Sequence, residues 1–311
     1  MMKMFRRRVF RVAASLGLAF CLFFTMTVHD LRAVLVHGGS VLAGVIAEPS
    51  PEDPRSALLD GGPRVDQAIS FYTNVGRAWM QKGLLRSTSY LPVIREIFER
   101  HGVPAELACI AFVESGFDNK ATSPVWAHGM WQFMPETARA FGLRVDWSVD
   151  ERQDYWRASE AAAKYLAGLY KQFGDWLLAA AAYNAGQNYI KSRLEATGAT
   201  SFWELVEKDA LWKETTHYVP RILAAMRIFR DPQRYGFSMD GALEPLTVCR
   251  GRIAVSTLVE ASAICGVPVN RLIELNPHLE RGMIPDEKNG YELTLPDPGE
   301  YSEQDDATGM S

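Results

Sequence analysis

The chain has 311 residues, is 48% hydrophobic and 11% aromatic, and carries a net charge of −4. That length and apolar content allow a folded core with room for two domains and exclude a disordered chain. No basic stripe is available to neutralise a phosphate backbone, so nucleic acid is excluded as a partner.

Arg6, Arg7 and Arg8 form a positive cluster, followed by a run at 12–28 that is apolar or small throughout. This is the plan of an export signal. A second apolar patch at 41–47 ends in Val45-Ile46-Ala47, small enough for a cleavage site. The run 12–28 is also just long enough to span a bilayer. Segment 1–47 therefore fits an export signal or a retained membrane anchor, with the rest of the chain in the periplasm or on the outer face of the cell envelope. Bulky Phe20 before Cys21 argues against a lipidated cysteine. Residues 48–63 hold four prolines and two glycines and are expected to form a linker.

From 64 to 236 the apolar spacing is helical, so the fold class expected is mainly α. Helices are expected near 65–82, 90–101, 104–116, 135–141, 158–173, 176–183, 202–209 and 217–229. After Asp231-Pro232 the character changes. Leu246-Thr247-Val248 and Glu292-Leu293-Thr294-Leu295 suit short strands, with short helices at 255–264 and 269–275 between them. This small α/β module at 243–297 is followed by a tail at 298–311. The module is small for independent stability. Cys249 and Cys265 both fall inside it, and an oxidising compartment would permit a disulfide. Cys109 lies in an apolar helix and suits a buried thiol. No Cys/His clustering points to a metal, and no cofactor is implied.

One carboxylate stands out on geometry. Leu107, Ile110 and Ala111 set the apolar face of the 104–116 helix, and Glu114 continues the same i, i+3, i+4, i+7 series. It also occupies the last turn, where the macrodipole is negative. Burial and helix end both disfavour its charged form, so its pKa is expected to be raised. A carboxylic acid kept protonated near neutral pH suits general acid catalysis; a buried ion pair or a tolerated edge glutamate would fit the same position.

Glu114-Ser115-Gly116-Phe117, then Ser123-Pro124, Gly129-Met130-Trp131-Gln132-Phe133-Met134-Pro135 and Ala182-Tyr183-Asn184-Ala185-Gly186 follow in this order. In order and spacing they resemble the motifs of family 1 lytic transglycosylases, most closely the membrane-bound D type, over residues 90–236. The resemblance implies a lysozyme-like catalytic domain with Glu114 as the acid/base. Ser123 matches a residue that bonds near the sugar's N-acetyl group. Gln132 and Met134 match cleft-lining groups, and Tyr183 the tyrosine that orients the glutamate or substrate. Asn184 shares that motif, and Glu214, within the stretch 213–219, matches a further substrate-contacting carboxylate. Plainer roles fit several of these: a turn for Ser123-Pro124, core for Trp131 and Met134, a helix stop for the Tyr183 motif.

The implied substrate is the peptidoglycan glycan strand, with goose-type lysozyme hydrolysis and non-catalytic wall binding as the alternatives. The resemblance also accounts for the lack of a second acid with a clear claim near the motifs, since ordinary glycosidases use two carboxylates. Between 245 and 296 the chain resembles a divergent LysM module, mainly through Gly266-Val267 and Leu275-Asn276-Pro277. Arg250-Gly251-Arg252-Ile253 stands where that module usually has Gly-Asp-Thr. All catalytic motifs end before Gly236, so the helical domain is expected to close its cleft without the later strands.

Overall fold

Pro63, which has no backbone N–H to satisfy, opens the first α-helix among the described residues, α1 (Pro63–Thr73). The computed structural model describes Leu58 and residues 61–246 and 248–297. The expected export or anchor segment 1–47 with Cys21, most of the expected linker, Thr247 and the tail 298–311 lie outside the described residues. After a turn at 74–76 the chain enters α2 (Arg77–Arg100), a single helix where two were expected. Packing carries it through the weak helix formers around 83–89. Gly83 lies so close to the Phe112 ring that a Cβ would come within 2.5 Å of it. Ser87 returns its hydroxyl to the Leu84 carbonyl at 2.7 Å.

A 3-10 turn at Ala105–Ala108 leads into α3 (Cys109–Ser115). This short helix is enclosed on nearly every side: Cys109, Ile110, Ala111 and Phe112 are all buried. The apolar stripe inferred from sequence is therefore only part of its buried surface. Then follow α4 (Pro135–Ala140), α5 (Tyr155–Phe173), α6 (Trp176–Ala185), α7 (Gln187–Thr197), α8 (Phe202–Glu207) and α9 (Lys213–Arg230). Helix α7 was not expected; only Ile190 of it is buried, so it carries no apolar stripe to read. Helix α9 packs on α1, α3 and α6, and α5 packs on α2 and α6. Among the described residues no helix is long and apolar enough to cross a membrane.

The C-terminal residues form β1 (Val248–Ile253), α10 (Leu258–Cys265), α11 (Val269–Leu275) and β2 (Tyr291–Pro296). This is the strand–helix–helix–strand order expected, with β1 displaced towards Arg250-Gly251-Arg252. The strands are antiparallel, from Val248 opposite Pro296 to Ile253 opposite Tyr291. Buried Asn276 ties α11 to β2: its amide donates to the carbonyls of Leu272 and Thr294 and its oxygen accepts the Thr294 N–H, each at 2.8 Å. The expected disulfide is not formed. Cys249 and Cys265 are free thiols, and the Cys249 sulfur contacts the Pro296 carbonyl at 3.7 Å. A small module needs some support beyond its own core, and here the helical domain supplies it.

That support centres on Asp154, whose carboxylate is almost wholly buried. It caps α5 by accepting the N–H groups of Trp156 and Arg157 at 3.0 and 3.1 Å. It also pairs with Arg250 of β1 at 3.2 Å and with Arg157 at 3.6 Å. Burial alone would raise its pKa, but Arg250, Arg157 and the cap bonds outweigh burial and hold it below the usual carboxylate value. Removing one partner of a buried pair typically costs about 3–5 kcal/mol. Asp154→Ala is expected to lose stability of that order in urea unfolding at pH 7. A depressed carboxylate pKa contributes stability that is present above the unfolded value and lost as pH falls through the folded one. The variant should therefore lose stability less steeply in acid than the parent; an unchanged unfolding midpoint and acid limb would remove Asp154 from this role.

Candidate active site

Gly116, at φ 63°, takes the left-handed conformation that ends α3 and turns the chain away. Glu114 sits two residues earlier, partly exposed at the end of an otherwise buried helix. The Tyr218 hydroxyl, from α9, donates to its Oε1 at 2.5 Å. Burial pushes the Glu114 carboxyl up to about 7; the Tyr218 bond opposes this and the charge of Glu214 adds to it. Near neutral pH a large fraction of the group is protonated. Because Tyr218 directs its proton to Oε1, the acid's own proton belongs on Oε2, which is free of hydrogen bonds among the described residues. A carboxyl held in this way is able to donate a proton from Oε2.

The other expected residues fall into two groups. Asn184 and Glu214 meet, with the Asn184 amide donating to Glu214 Oε1 at 3.1 Å while Thr215 Oγ1 donates to Asn184 Oδ1 at 2.9 Å. The Asn184 motif is thus more than a helix stop. The Tyr183 hydroxyl donates to the Trp131 carbonyl at 2.9 Å, so it fixes the neighbouring loop, and the tyrosine bonded to Glu114 is Tyr218. The sequence offered one signal for Tyr218, its place four residues beyond Glu214 on the same helix.

The second group lies on the 122–134 loop. Ser123 Oγ accepts the N–H groups of Val125 and Ala127 at 3.3 and 3.0 Å, closing a tight turn. Gln132 donates from Nε2 to the carbonyls of Ala121 and Gly129 at 3.1 and 2.8 Å. Met134 is exposed, whereas Trp131 is core, its indole N–H donating to Ser159 Oγ at 2.9 Å. Trp126 and Gln132 hold φ of 68° and 49°, a region that non-glycine residues rarely adopt. Asp118, the acid nearest to Glu114 in sequence, is engaged by Arg86 at 2.9 Å.

His128, Asp150 and Glu280 bring one potential metal-ligand atom each within 4.8 Å of one another. Their donor set does not favour a cation: Arg152 already holds both Asp150 oxygens at 2.9 and 2.6 Å, and Glu280 accepts from Gln153 at 2.9 Å. The trio is a junction between the loop, the segment after α4 and the C-terminal module.

The chain is similar to several known proteins. Residues 93–206 match the family model of the transglycosylase SLT domain. The membrane-bound lytic murein transglycosylase D of Escherichia coli K12 is 33% identical over 208 residues, covering 64% of this chain and 45% of that protein. The peptidoglycan transglycosylase gp16 of Escherichia phage T7 is 38% identical over 125 residues, 39% of this chain and 10% of that one. Among solved structures, an inactive mutant of the lytic transglycosylase Slt from Pseudomonas aeruginosa aligns over 49% of this chain and 26% of its own, at 26% identity and a TM-score of 0.40. The chain thus spans less than half the length of the first of these relatives.

The hydrogen bond from Tyr218 favours the ionised form of Glu114, so removing it favours the protonated one. In Tyr218→Phe the Glu114 titration is expected to move upward from about 7, as followed by carbon-13 NMR of the side-chain carboxyls. A midpoint that stays in place or falls would show that Tyr218 does not set this pKa.

Proposed function

We propose that this chain, a member of the family 1 lytic transglycosylases through its SLT domain, cleaves peptidoglycan glycan strands at the β-1,4 bond between N-acetylmuramic acid and N-acetylglucosamine. The observation that carries the reading is Glu114: one carboxyl with a pKa of about 7, anchored through Oε1 by Tyr218 and free at Oε2. Both proton transfers are assigned to it. Glu114 gives its proton to the glycosidic oxygen as the bond to C1 breaks, and the substrate's N-acetyl oxygen stabilises the developing positive charge. The resulting carboxylate takes the proton of the muramic acid C6 hydroxyl, whose oxygen bonds to C1. The products are a 1,6-anhydro end and a new free hydroxyl on the leaving sugar, and Glu114 is returned protonated. Intramolecular attack has a higher effective molarity than water.

Several features support this chemistry over two-carboxylate hydrolysis. Asp118 is occupied by Arg86, and Glu214 is exposed and bonded to Asn184. A pKa near 7 lets one group serve as acid and then as base at the same pH. Gln132, Ser123, Met134, Tyr183, Asn184 and Glu214 are assigned to the cleft that holds the glycan. The cell envelope is the location that fits both an export segment at 1–47 and the murein named for the relatives. The module at 243–297 is assigned as LysM-like.

In Glu114→Gln the amide keeps the shape and can still accept from Tyr218, yet has no acidic proton to give. Cleavage should fall by at least about 10²-fold, with the circular dichroism spectrum unchanged. Digests of purified sacculi by the parent protein should contain products one water lighter than hydrolysis would give, as read by mass spectrometry. Hydrolytic masses would assign water as the nucleophile, and full activity in a folded Glu114→Gln would remove the assignment altogether. As the first step needs protonated Glu114, the rate should decline as pH rises through about 7; a profile flat into the alkaline range would contradict it.

A further inference from the structure

The segment 149–154, after α4, touches the C-terminal module on one side and the 122–134 loop on the other. On the module side, Val149 is 1% exposed and buried in the module's own hydrophobic cluster with Ile253, Leu258 and Leu293. The Asp150 N–H donates to the His278 carbonyl at 3.0 Å. Tyr291 donates its hydroxyl to Glu151 at 2.7 Å, and Arg250 pairs with Asp154 at 3.2 Å. Apolar insertion, backbone bonding and a buried ion pair thus fix this segment to the module.

On the loop side, Arg152 reaches into the loop. The Arg152 side chain is 6% exposed. Its Nε and Nη2 hold Asp150, and its Nη1 donates to the carbonyl of Trp126 at 2.7 Å and of Phe133 at 3.0 Å. Those two carbonyls belong to Trp126 itself and to the residue after Gln132, and Trp126 and Gln132 are the two left-handed non-glycine positions of this loop. Such conformations persist only where surrounding contacts over-determine them. Gly129 packs directly against the Arg152 carbonyl, leaving no room for a Cβ, and Asn119 donates its side-chain amide to the Gln153 carbonyl.

We propose that the C-terminal module is part of the active-site architecture: it grips residues 149–154, and Arg152, as a positioning residue, holds the loop bearing Ser123 and Gln132 in its strained form. The effect on catalysis rests on the function proposed above, whereas the mechanical link does not. The module thereby does more than tether the enzyme to its polymer, and the helical domain does not complete its cleft unaided.

The test uses the full-length chain, with two single variants that leave the loop residues untouched. Arg152→Gln cuts the link to the loop. Val149→Asp places a charge in the module's core and expels the segment, with Val149→Ala as the milder substitute should the first fail to fold. Amide hydrogen exchange is measured on each, together with kcat and KM on short soluble glycan fragments that cannot engage a distant tether. The expected result is at least a tenfold faster exchange at the His128 and Gly129 amides, which donate to the Phe133 and Ala121 carbonyls, and at least a tenfold lower kcat. Amides of α9 should keep their protection. Release of the Asp150 amide in a Val149 variant, with loop exchange and kcat at parental values, would overturn the proposal, as would an Arg152→Gln protein with an unaltered loop. If the parent cleaves no glycan, the function proposed above has failed, and loop exchange alone decides the link.

Discussion

Enclosing a seven-residue helix on nearly all sides leaves only its end able to meet a ligand, and this constraint on α3 organises the protein. Helix α9 lies across both α1 and α3, and it brings Tyr218 to the carboxyl that α3 presents. A carboxyl so placed is poorly solvated, and its ionised form is disfavoured by about 1.4 kcal/mol for each unit by which its pKa is raised. The same burial that stabilises the core thus prepares Glu114 to hold a proton near pH 7. Tyr218 tempers the shift and fixes which oxygen remains free.

The loop that follows α3 presents the opposite situation. It is short of apolar contacts at its tip, where Val125 and Trp126 are exposed. Two of its residues hold conformations that cost about 1–2 kcal/mol each for side chains larger than glycine. Hydrogen bonds to main-chain carbonyls from Gln132, Tyr183 and Arg152 keep it in shape. Tyr183 and Arg152 supply this pre-organisation from elements outside the loop, because the loop has no core of its own.

Asp154 joins the two halves of the described chain. As the cap of α5 it belongs to the helical domain, and as the partner of Arg250 it belongs equally to the module. A buried charge pair of this sort is a weak source of net stability, since desolvation offsets much of the attraction. Its directional bonds do fix how the two halves dock. Arg250, on β1, binds the helical domain through this pair. With this docking and the Asn276 bonds in place, the module holds together while Cys249 and Cys265 remain thiols.

The amino-acid sequence by itself determined the mainly helical class, the order of elements in the C-terminal module and the special standing of Glu114. These follow from local information: apolar spacing, proline and glycine at helix ends, and three motifs in a fixed order. It left α2 divided and α7 unseen, because Gly83 and Ser87 are kept helical by Phe112 and by core packing, and α7 buries only Ile190. It also passed over Tyr218 and Arg152. Tyr218 lies 104 positions from the carboxyl it bonds, and Arg152 lies 26 and 19 positions from the carbonyls it holds. Neither pairing leaves a periodic trace in the chain. Hydrogen bonds between residues so far apart exist only once helices and loop have packed, so tertiary structure alone decided which tyrosine serves the acid and which arginine secures the loop beside it.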